Sequence, residues 1–257
     1  MTDYQGLSLL PLPGSRLVVA GGCGGIGRAV VAAAASAGLN VTVLDLPVSI
    51  TAHPLPAGVT AIECDAMDEA SVNRAFAQVS AQGEALDALI NLVGFTKEQI
   101  PLEKMDLAEW DEIIDGTLRS AFLIARAAMP LLRKSGAGAI VNTSSTFGVR
   151  VPYPGYGPYS VAKAGIINLT RALATEGAPQ VRANALAPGI VDTQFLKGGT
   201  GRKEKDTRVD QEVVLRGVPL QRLGQPEDMV GTLLFLCSPA AAYITSQTIH
   251  VNGGLWS

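Results

Sequence analysis

Short apolar runs alternate with segments of helical periodicity along most of the chain. Seven of these runs predict strands, which in chain order are RLVVAG, NVTVLD, VTAIECD, LDALINLVG, GAIVNTSS, VRANALAPG and SQTIHVNGG. The segments between them predict helices, of which one is closed by Gly38, one runs from about residue 106 to 134 and one has Pro226 in its first turn. Because continuous apolar strands separated by helices are typical of covered parallel sheets, the pattern predicts an α/β fold: a doubly wound, seven-stranded parallel sheet with helices on both faces.

The chain is predicted to form one domain over residues 1–257, because no linker rich in Pro, Ser or Gly divides it and no repeat occurs. The exception to the regular alternation is the segment 194–217, which is polar, charged and contains glycines. Long segments of this kind are often lids, and we interpret this one as a lid over the substrate. Its cations, among them Lys197, Arg202 and Lys203, leave open the alternative that it attracts an anionic substrate.

Composition and charge exclude several classes of protein. The chain has 257 residues, of which 47% are hydrophobic, a net charge of −3 and no basic stripe, so we expect no nucleic acid partner. Its first residues lack the basic start of a secretory signal, and no apolar run reaches the roughly 18 residues of a membrane span, which predicts a cytoplasmic protein without a membrane partner. Cys23, Cys64 and Cys237 show no metal-ligand spacing and only two histidines occur, so we expect neither a metal site nor a histidine base.

A glycine-rich turn follows the first strand. In AGGCGGIG, the glycines Gly21, Gly25 and Gly27 let the backbone approach a pyrophosphate at the start of the next helix, where free N–H groups and the helix dipole favour an anion. Asp45 ends the second strand 18 residues after Gly27, near the spacing expected for a carboxylate that binds a ribose 2′-hydroxyl. This arrangement predicts a Rossmann-type dinucleotide site, and the carboxylate favours NAD over NADP. The alternative is that Asp45 is only a turn residue at a strand end.

The stretch YGPYSVAK predicts a proton-transferring pair. Tyr159 and Lys163 are four residues apart at a predicted helix start, so their side chains lie on one face. An adjacent ammonium lowers the pKa of a tyrosine from its usual value near 10, which creates a general acid/base without histidine. Ser144 and Ser145 lie at the carboxyl end of the fifth strand, where a hydroxyl can donate to a substrate oxygen.

Taken together, these residues resemble the short-chain dehydrogenase/reductase family over essentially the whole chain. The resemblance is carried by GGCGGIG, Asp45, CDA at 64–66, NLVG at 91–94, NTSS at 142–145, YSVAK at 159–163, RANALAPGIVDT at 182–193, RLGQPED at 222–228 and VNGG at 251–254. It implies that Tyr159 is the catalytic acid/base, that Lys163 binds the nicotinamide ribose and lowers the tyrosine pKa, and that Ser145 polarises the substrate oxygen.

The resemblance also implies a set of cofactor-binding residues. Asp65 and Ala66 would flank the adenine, and Asn91 and Gly94 would line its ribose. Pro188, Ile190 and Thr193 would hold the nicotinamide. The full set is Gly21, Gly25, Ile26, Gly27, Asp45, Asp65, Ala66, Asn91, Gly94, Tyr159, Lys163, Pro188, Ile190 and Thr193. Tyr156 is interpreted either as a wall of the substrate pocket or as simple packing.

Three departures from the family pattern occur, and they involve four residues. Ala20 stands where the family has threonine before the glycines, and Leu92 and Val93 replace two members of its Asn-Asn-Ala-Gly sequence. Thr117 stands where the family has a helix asparagine that supports a proton relay. We predict that Thr117 supports the relay through a water, because its hydroxyl can both donate and accept a hydrogen bond.

The predicted function is an NAD-dependent oxidoreductase that transfers a hydride between nicotinamide and a secondary alcohol or ketone. Two alternatives remain at this point: a ketone reductase of the 3-oxoacyl-thioester type, and a non-catalytic dinucleotide-binding protein. The family resemblance further implies a homotetramer, with a dimer as the second choice. The substrate and the physiological direction are not determined by the sequence.

Overall fold

The structure, a computed structural model, describes residues 8–199 and 215–256. Over these ranges it contains one sheet with the strands β1 (Arg16–Ala20), β2 (Asn40–Asp45), β3 (Thr60–Glu63), β4 (Ala88–Asn91), β5 (Gly138–Thr143), β6 (Val181–Pro188) and β7 (Thr248–Val251). The order is β3-β2-β1-β4-β5-β6-β7, and each neighbouring pair is parallel. The predicted seven-stranded, doubly wound sheet is therefore confirmed.

Helices cover both faces of the sheet. They are α1 (Gly25–Ser36), α2 (Pro47–Ala52), α3 (Glu69–Ala81), α4 (Leu107–Ile114), α5 (Ser120–Ser135), α6 (Gly157–Gly177) and α7 (Pro226–Cys237). Strand β1 contributes to two separate apolar cores, because Val18 and Ala20 pack with α3, α5 and α6 whereas Leu17 and Val19 pack with α1 and α7. This alternation explains why the strands are apolar at nearly every position. In the described part of the chain, no helix has the length and apolar character that crossing a membrane requires.

The structure differs from the sequence prediction in two helical segments. The long helix predicted over 106–134 is divided between α4 and α5 by a π turn over Asp115–Arg119, which places an extra residue in one turn of the helix. The short helix α2, which has a proline at its start, was not predicted, because six residues are too few to establish a helical period.

The segment predicted as a lid is described only in part. Residues Gln194–Lys197 form a 3₁₀ turn. Residues 200–214 lie outside the described ranges, so the prediction of a lid stays a prediction.

The parallel order brings the functional segments to one edge. All seven strands end at the same side of the sheet, and the connections after β1 and β4 leave toward opposite faces. A crevice forms in such sheets where the strand order reverses, and here that point lies between β1 and β4. The glycine-rich turn, Asp45 and Ser145 therefore converge there, although they are far apart in the chain.

Candidate active site

A cleft of about 870 Å³ runs along the carboxyl edge of the sheet. Clefts of roughly 300–1,000 Å³ are typical of small-molecule sites. Its walls include most of the predicted site residues, namely Gly21, Gly25, Ile26, Gly27, Asp45, Asp65, Ala66, Gly94, Ser145, Tyr159, Lys163, Pro188, Ile190 and Thr193. Asn91 and Thr117 are not among the described residues that line it.

The glycines of the first turn form a cradle that a side chain would fill. A Cβ atom on Gly27 would overlap the carbonyl oxygen of Gly21, and a Cβ on Gly25 would lie 2.6 Å from Cγ2 of Thr193. Gly21 has φ of +78°, a backbone conformation that residues with side chains rarely adopt. Helix α1 begins here without a side-chain cap and without an acidic residue in its first turn. Its N–H groups therefore suit an external anion, so the cradle fits the pyrophosphate of a dinucleotide.

Asp45 is fixed in the cleft wall by three donors. Its Oδ2 accepts a hydrogen bond from the backbone N–H of Cys23 at 2.8 Å, and its Oδ1 accepts from the N–H of Leu46 at 2.8 Å. The Cys23 thiol also bonds to the carboxylate, and burial together with this neighbouring charge raises the pKa of Cys23 to about 12. The sequence shows no metal-ligand spacing around Cys23 and indicates no other role for it. Its contact with Asp45 joins the glycine turn to the end of β2. The two residues are far apart in the sequence, so this contact was not predictable from it.

The predicted catalytic side chains lie together, and each is held by a neighbour. The Lys163 ammonium nitrogen lies 5.7 Å from the centroid of the Tyr159 ring and donates to the carbonyl oxygen of Thr143 at 2.7 Å. Ser145 is hydrogen-bonded to Tyr159, and its Oγ accepts from the N–H of Phe147 at 3.1 Å. Tyr159, Lys163 and Ser145 are all buried, with 7%, 3% and 7% of their surface exposed. The two elements α6 and the end of β5 thus build one compact group.

The hydroxyl of Ser144 bonds to the backbone of α6. Its Oγ donates to the carbonyl oxygen of Lys163 at 2.8 Å and it is 2% exposed. This bond fastens α6 to the end of β5. The two serines therefore differ in their hydrogen bonds: Ser144 bonds to the backbone of α6, and Ser145, the predicted catalytic serine, bonds to Tyr159.

The pKa of Tyr159 departs from the expected direction. The sequence predicted that Lys163 lowers it, but in the structure burial raises the pKa of Tyr159 to about 12, with the hydrogen bond from Ser145 acting in the opposite sense. Burial also lowers the pKa of Lys163 to about 7. The physical reason is that both groups lose hydration, which disfavours the charged form of each. Among the protein groups, Tyr159 consequently keeps its proton at neutral pH.

Thr117 lies in the π turn and is fully buried. Its Oγ1 donates to the carbonyl oxygen of Phe95 at 3.4 Å, and its own carbonyl accepts from Ser120 Oγ at 3.2 Å. A Cβ built on Gly94 would lie 3.2 Å from the Lys163 ammonium nitrogen and 3.7 Å from Oγ1 of Thr117. Gly94 therefore lies between Thr117 and Lys163. Because it has no side chain, the space between these two residues stays open.

Asn91 lies behind the cleft rather than in its wall. Its Oδ1 accepts from the N–H of Val93 at 3.2 Å, and its amide donates to Asn142 at 3.4 Å. The residue is 2% exposed, and the expectation that it lines the adenine ribose stays a prediction. Leu92, Val93 and Gly94 line the cleft instead. Asn91 shapes this turn from inside, because it bonds both to the turn and to the neighbouring strand β5.

The remaining predicted cofactor residues lie in the loops after β3 and β6. Asp65 accepts from the N–H of Met67 at 2.9 Å and stays exposed. The carbonyl of Pro188 accepts from Thr146 Oγ1 at 2.9 Å, and Thr193 caps the 3₁₀ turn by accepting from the N–H of Phe195 at 3.3 Å. These bonds position the loop after β6 against the glycine cradle.

Aromatic side chains surround the reacting end. Of these, Tyr156 and Tyr159 were noted from the sequence, and Phe147 and Phe195 were not. Phe147 contacts Tyr156 with ring centroids 4.8 Å apart, and Phe195 contacts Tyr159 at 5.8 Å. Gln99 Nε2 donates to the hydroxyl of Tyr156 at 2.7 Å. Tyr156 lines the cleft, in agreement with its interpretation as a pocket wall. Phe147 and Phe195 have no local pattern that marks them, because they come from separate loops.

The fold and the cleft define a dinucleotide-binding α/β protein, and comparison with known proteins identifies its family. A family model described as enoyl-(acyl carrier protein) reductase matches residues 21–256. A 3-oxoacyl-(acyl-carrier-protein) reductase of Aquifex aeolicus is 33% identical over 255 residues, which cover 96% of this chain and 99% of the relative. Another, from Staphylococcus aureus strain Mu50, is 35% identical over 249 residues, which cover 93% of this chain and 97% of the relative.

Solved structures of dehydrogenases also superpose on this chain. A putative gluconate dehydrogenase from Agrobacterium tumefaciens superposes with a TM-score of 0.84 at 32% identity and covers 95% of this chain and 97% of its own. A short-chain glucose/ribitol dehydrogenase from Brucella melitensis superposes with a TM-score of 0.82 at 27% identity and covers 96% and 99%. The chain belongs to the short-chain dehydrogenase/reductase family. It is accordingly an oxidoreductase that acts on CH–OH or carbonyl groups with a nicotinamide dinucleotide.

Proposed function

We propose that the protein is an NAD-dependent oxidoreductase that transfers a hydride between nicotinamide and a secondary alcohol or ketone. The observation that carries this proposal is the group formed by Ser145, Tyr159 and Lys163 at one end of the cleft, with the glycine cradle along the same edge. A non-catalytic dinucleotide-binding protein would have no need for a buried tyrosine, lysine and serine in mutual contact. The burial of these polar side chains is costly and is typical of reacting sites.

In the reducing direction, Tyr159 donates its phenolic proton to the substrate oxygen. The hydroxyl of Ser145 donates a hydrogen bond to the same oxygen and thereby polarises the carbonyl. A nicotinamide held by the predicted cofactor-binding residues would supply the hydride for the carbonyl carbon, so that C=O would become CH–OH. Lys163 lies one turn after Tyr159 on α6 and keeps the reacting group in its orientation. Oxidation of the alcohol uses the same atoms in the reverse direction.

The preference for NAD is proposed from Asp45. Its carboxylate lies in the cleft wall near the glycine cradle, and two backbone N–H groups hold it in place. A fixed negative charge accepts hydrogen bonds from a ribose 2′-hydroxyl and repels a 2′-phosphate. The described cleft wall carries Lys97 and Lys163 as its cations, and neither lies in the segments around Asp45.

A reductase of 3-oxoacyl thioesters is the second candidate. The names of the relatives from Aquifex aeolicus and Staphylococcus aureus favour it. In either candidate, a protonated Tyr159 would carry the proton that a ketone receives.

A panel of alcohols and ketones tests the proposal. We expect the purified chain with NAD or NADH to change nicotinamide absorbance with at least one secondary alcohol or ketone, and to do so with a higher kcat/KM than with NADP or NADPH. Binding of cofactor without turnover of any compound, including a short 3-oxoacyl thioester, would support the non-catalytic alternative.

A further inference from the structure

Aromatic side chains are concentrated at the substrate end of the cleft. The chain is poor in aromatic residues overall, at 5%. Three of its six phenylalanines and three of its five tyrosines nevertheless line this one cleft: Phe95, Phe147, Phe195, Tyr153, Tyr156 and Tyr159. They come from four separate segments of the chain. Such convergence of rings indicates that the cleft accommodates a particular shape of substrate.

Packing of the protein interior does not account for these rings. Phe147, Tyr156 and Phe195 are only partly buried, whereas the interior members of the same cluster are buried. Tyr153 is 41% exposed. The rings of Phe147 and Tyr156 meet edge to face at 61° with centroids 4.8 Å apart, and Phe147 approaches Tyr159 at 6.1 Å. Rings in this arrangement present edges and faces to the cleft, and a further ring added there makes the same type of contact.

The charges of the described cleft wall do not suit an anionic substrate. Its two cations are Lys97 and Lys163. The ammonium of Lys97 lies 2.6 Å from Glu112, which neutralises its charge, and Lys163 donates to the backbone behind the catalytic tyrosine. A carboxylate or phosphate at the substrate end would therefore lose hydration without gaining a free cation among these residues.

The polar partner offered to a substrate is a hydroxyl. Gln99 donates to the hydroxyl oxygen of Tyr156 at 2.7 Å, which fixes the Tyr156 ring and leaves its own proton for an acceptor on the substrate. Gln99 also lines the cleft beside Tyr156.

We propose that the substrate of this site is an uncharged aryl ketone or the corresponding aryl carbinol, with its ring against Phe147, Tyr156 and Phe195 and its oxygen between Ser145 and Tyr159. The proposal rests on the proposed function and specifies its substrate. The ring contacts orient the substrate, whereas Ser145 and Tyr159 act on its oxygen. Loss of a ring contact should therefore change the kcat/KM ratio between aryl and non-aryl ketones more than it changes the rate with a non-aryl ketone. A 3-oxoacyl thioester has no ring to make these contacts.

Matched ketones test the preference. Acetophenone and cyclohexyl methyl ketone carry the same reacting group and differ in whether the six-membered ring is aromatic. With NADH we expect the ratio of kcat/KM for acetophenone over cyclohexyl methyl ketone to be about tenfold in the full chain, since only an aromatic ring makes favourable ring pairs with Phe147, Tyr156 and Phe195. The 3-oxobutyryl thioester of N-acetylcysteamine serves as the thioester probe, and we expect its kcat/KM to be lower than that of acetophenone.

Variants locate the preference in the named rings. In Phe147→Leu and Phe195→Leu, we expect the acetophenone to cyclohexyl ratio to fall about threefold or more each, whereas NADH affinity stays unchanged. Phe235→Leu is the matched control, because Phe235 lies on α7 and packs in the core on the other face of the sheet. Thermal unfolding of each variant confirms that it is folded.

Binding separates this proposal from the proposed function. The dissociation constants of the two ketones are measured calorimetrically with the chain saturated with NADH. If no compound is turned over but acetophenone binds more tightly, the function fails and the aryl pocket stands. If ketones are turned over but the thioester or the cyclohexyl ketone is preferred, or if the two ketones bind equally, the aryl proposal is overturned and the oxidoreductase function stands.

Discussion

At the scale of the residue, the state of Tyr159 depends on what surrounds its hydroxyl. Burial holds its proton in place, and Ser145 offers the one hydrogen bond that acts against this effect. Among the protein groups, Tyr159 therefore keeps its proton, and a phenolate formed during a reaction would need a further positive charge or hydrogen-bond donor to stabilise it.

Removal of the Tyr159 hydroxyl tests this role. Tyr159→Phe keeps the ring and its contact with Phe195, so the cleft is preserved. We expect turnover to fall by roughly 10² or more, the scale of general acid/base catalysis, while NADH binding followed by fluorescence is unchanged. Tyr243→Phe is the control, because Tyr243 is fully exposed. Full activity of Tyr159→Phe would transfer the role to another hydroxyl, with Tyr156 as the first to examine.

The choice of cofactor is a second property of single residues. In Asp45→Ser, the repulsion of a 2′-phosphate is removed, and we expect the ratio of the dissociation constants of NADPH and NADH to decrease by about tenfold or more. Asp111→Ser, on the exposed side of α4, is the control for a lost carboxylate. Tighter binding of NADPH than of NADH by the unaltered chain would contradict the assignment of Asp45.

Lys163 predicts how stability changes with pH. Its pKa in the folded chain is about 7, below the usual 10.5, so between these values the unfolded state binds more protons than the folded state. The free energy of unfolding therefore rises with pH in that window, by about 2 kcal/mol from pH 7 to pH 9 for one such group. We expect urea unfolding of Lys163→Met to lack this increase and that of Lys134→Met, at an exposed position, to retain it. Parallel curves for the two variants would show that Lys163 is not responsible.

At the scale of the element, the π turn between α4 and α5 determines what Thr117 contacts. The extra residue in this turn carries the hydroxyl of Thr117 to the carbonyl of Phe95 and keeps the side chain beside Gly94. If the helix were continuous, without the extra residue of the π turn, the side chains after this point would face a direction about 100° away from their present one. The placement of a polar side chain next to Lys163 thus depends on the π turn as much as on the identity of the residue.

Substitutions at Thr117 test the relay that we predicted from the sequence. Thr117→Val keeps the shape and removes the hydroxyl, so we expect single-turnover hydride transfer to slow while the fold persists. Thr117→Ser retains a hydroxyl and should restore the rate, and Thr117→Asn should equal or exceed it, because an amide has a second donor. A Thr117→Val variant that matches the unaltered chain at every pH would exclude this residue from proton movement.

At the scale of the whole molecule, apolar side chains on neighbouring helices remain uncovered. Leu107 on α4, Phe122 on α5 and Val161 on α6 are 73%, 43% and 50% exposed. Uncovered apolar surface of this kind favours association with another copy of the chain. It is carried by α4, α5 and α6, so we predict that these helices form a subunit contact in the homotetramer that the family resemblance implies.

Light scattering at micromolar concentration measures the assembly. We expect the mass of four chains for the unaltered protein and a smaller mass for Val161→Lys, which places a charge in the predicted contact. Val48→Lys, on α2, introduces the same change at a position of similar exposure and should leave the mass unchanged. A monomeric mass for the unaltered chain would show the assembly prediction to be wrong.

The sequence by itself determined the features that depend on neighbours in the chain. The strands, the glycine turn before α1 and the pairing of Tyr159 with Lys163 were predictable, because each follows from a period or spacing within one or two elements. Pro226 and Gly38 marked helix ends for the same reason. The family resemblance then assigned residues that no local pattern distinguishes.

Only the tertiary structure decided the features that depend on burial and on contacts between distant elements. The bond of Cys23 to Asp45, the withdrawal of Asn91 behind the cleft and the convergence of Phe147 with Phe195 each join segments that are far apart in the chain. The direction of the Tyr159 pKa was wrong from the sequence, because spacing places Lys163 nearby but does not reveal how much water both groups lose. The amount of water that a group loses depends on how the whole molecule packs, and the order of residues alone does not specify this.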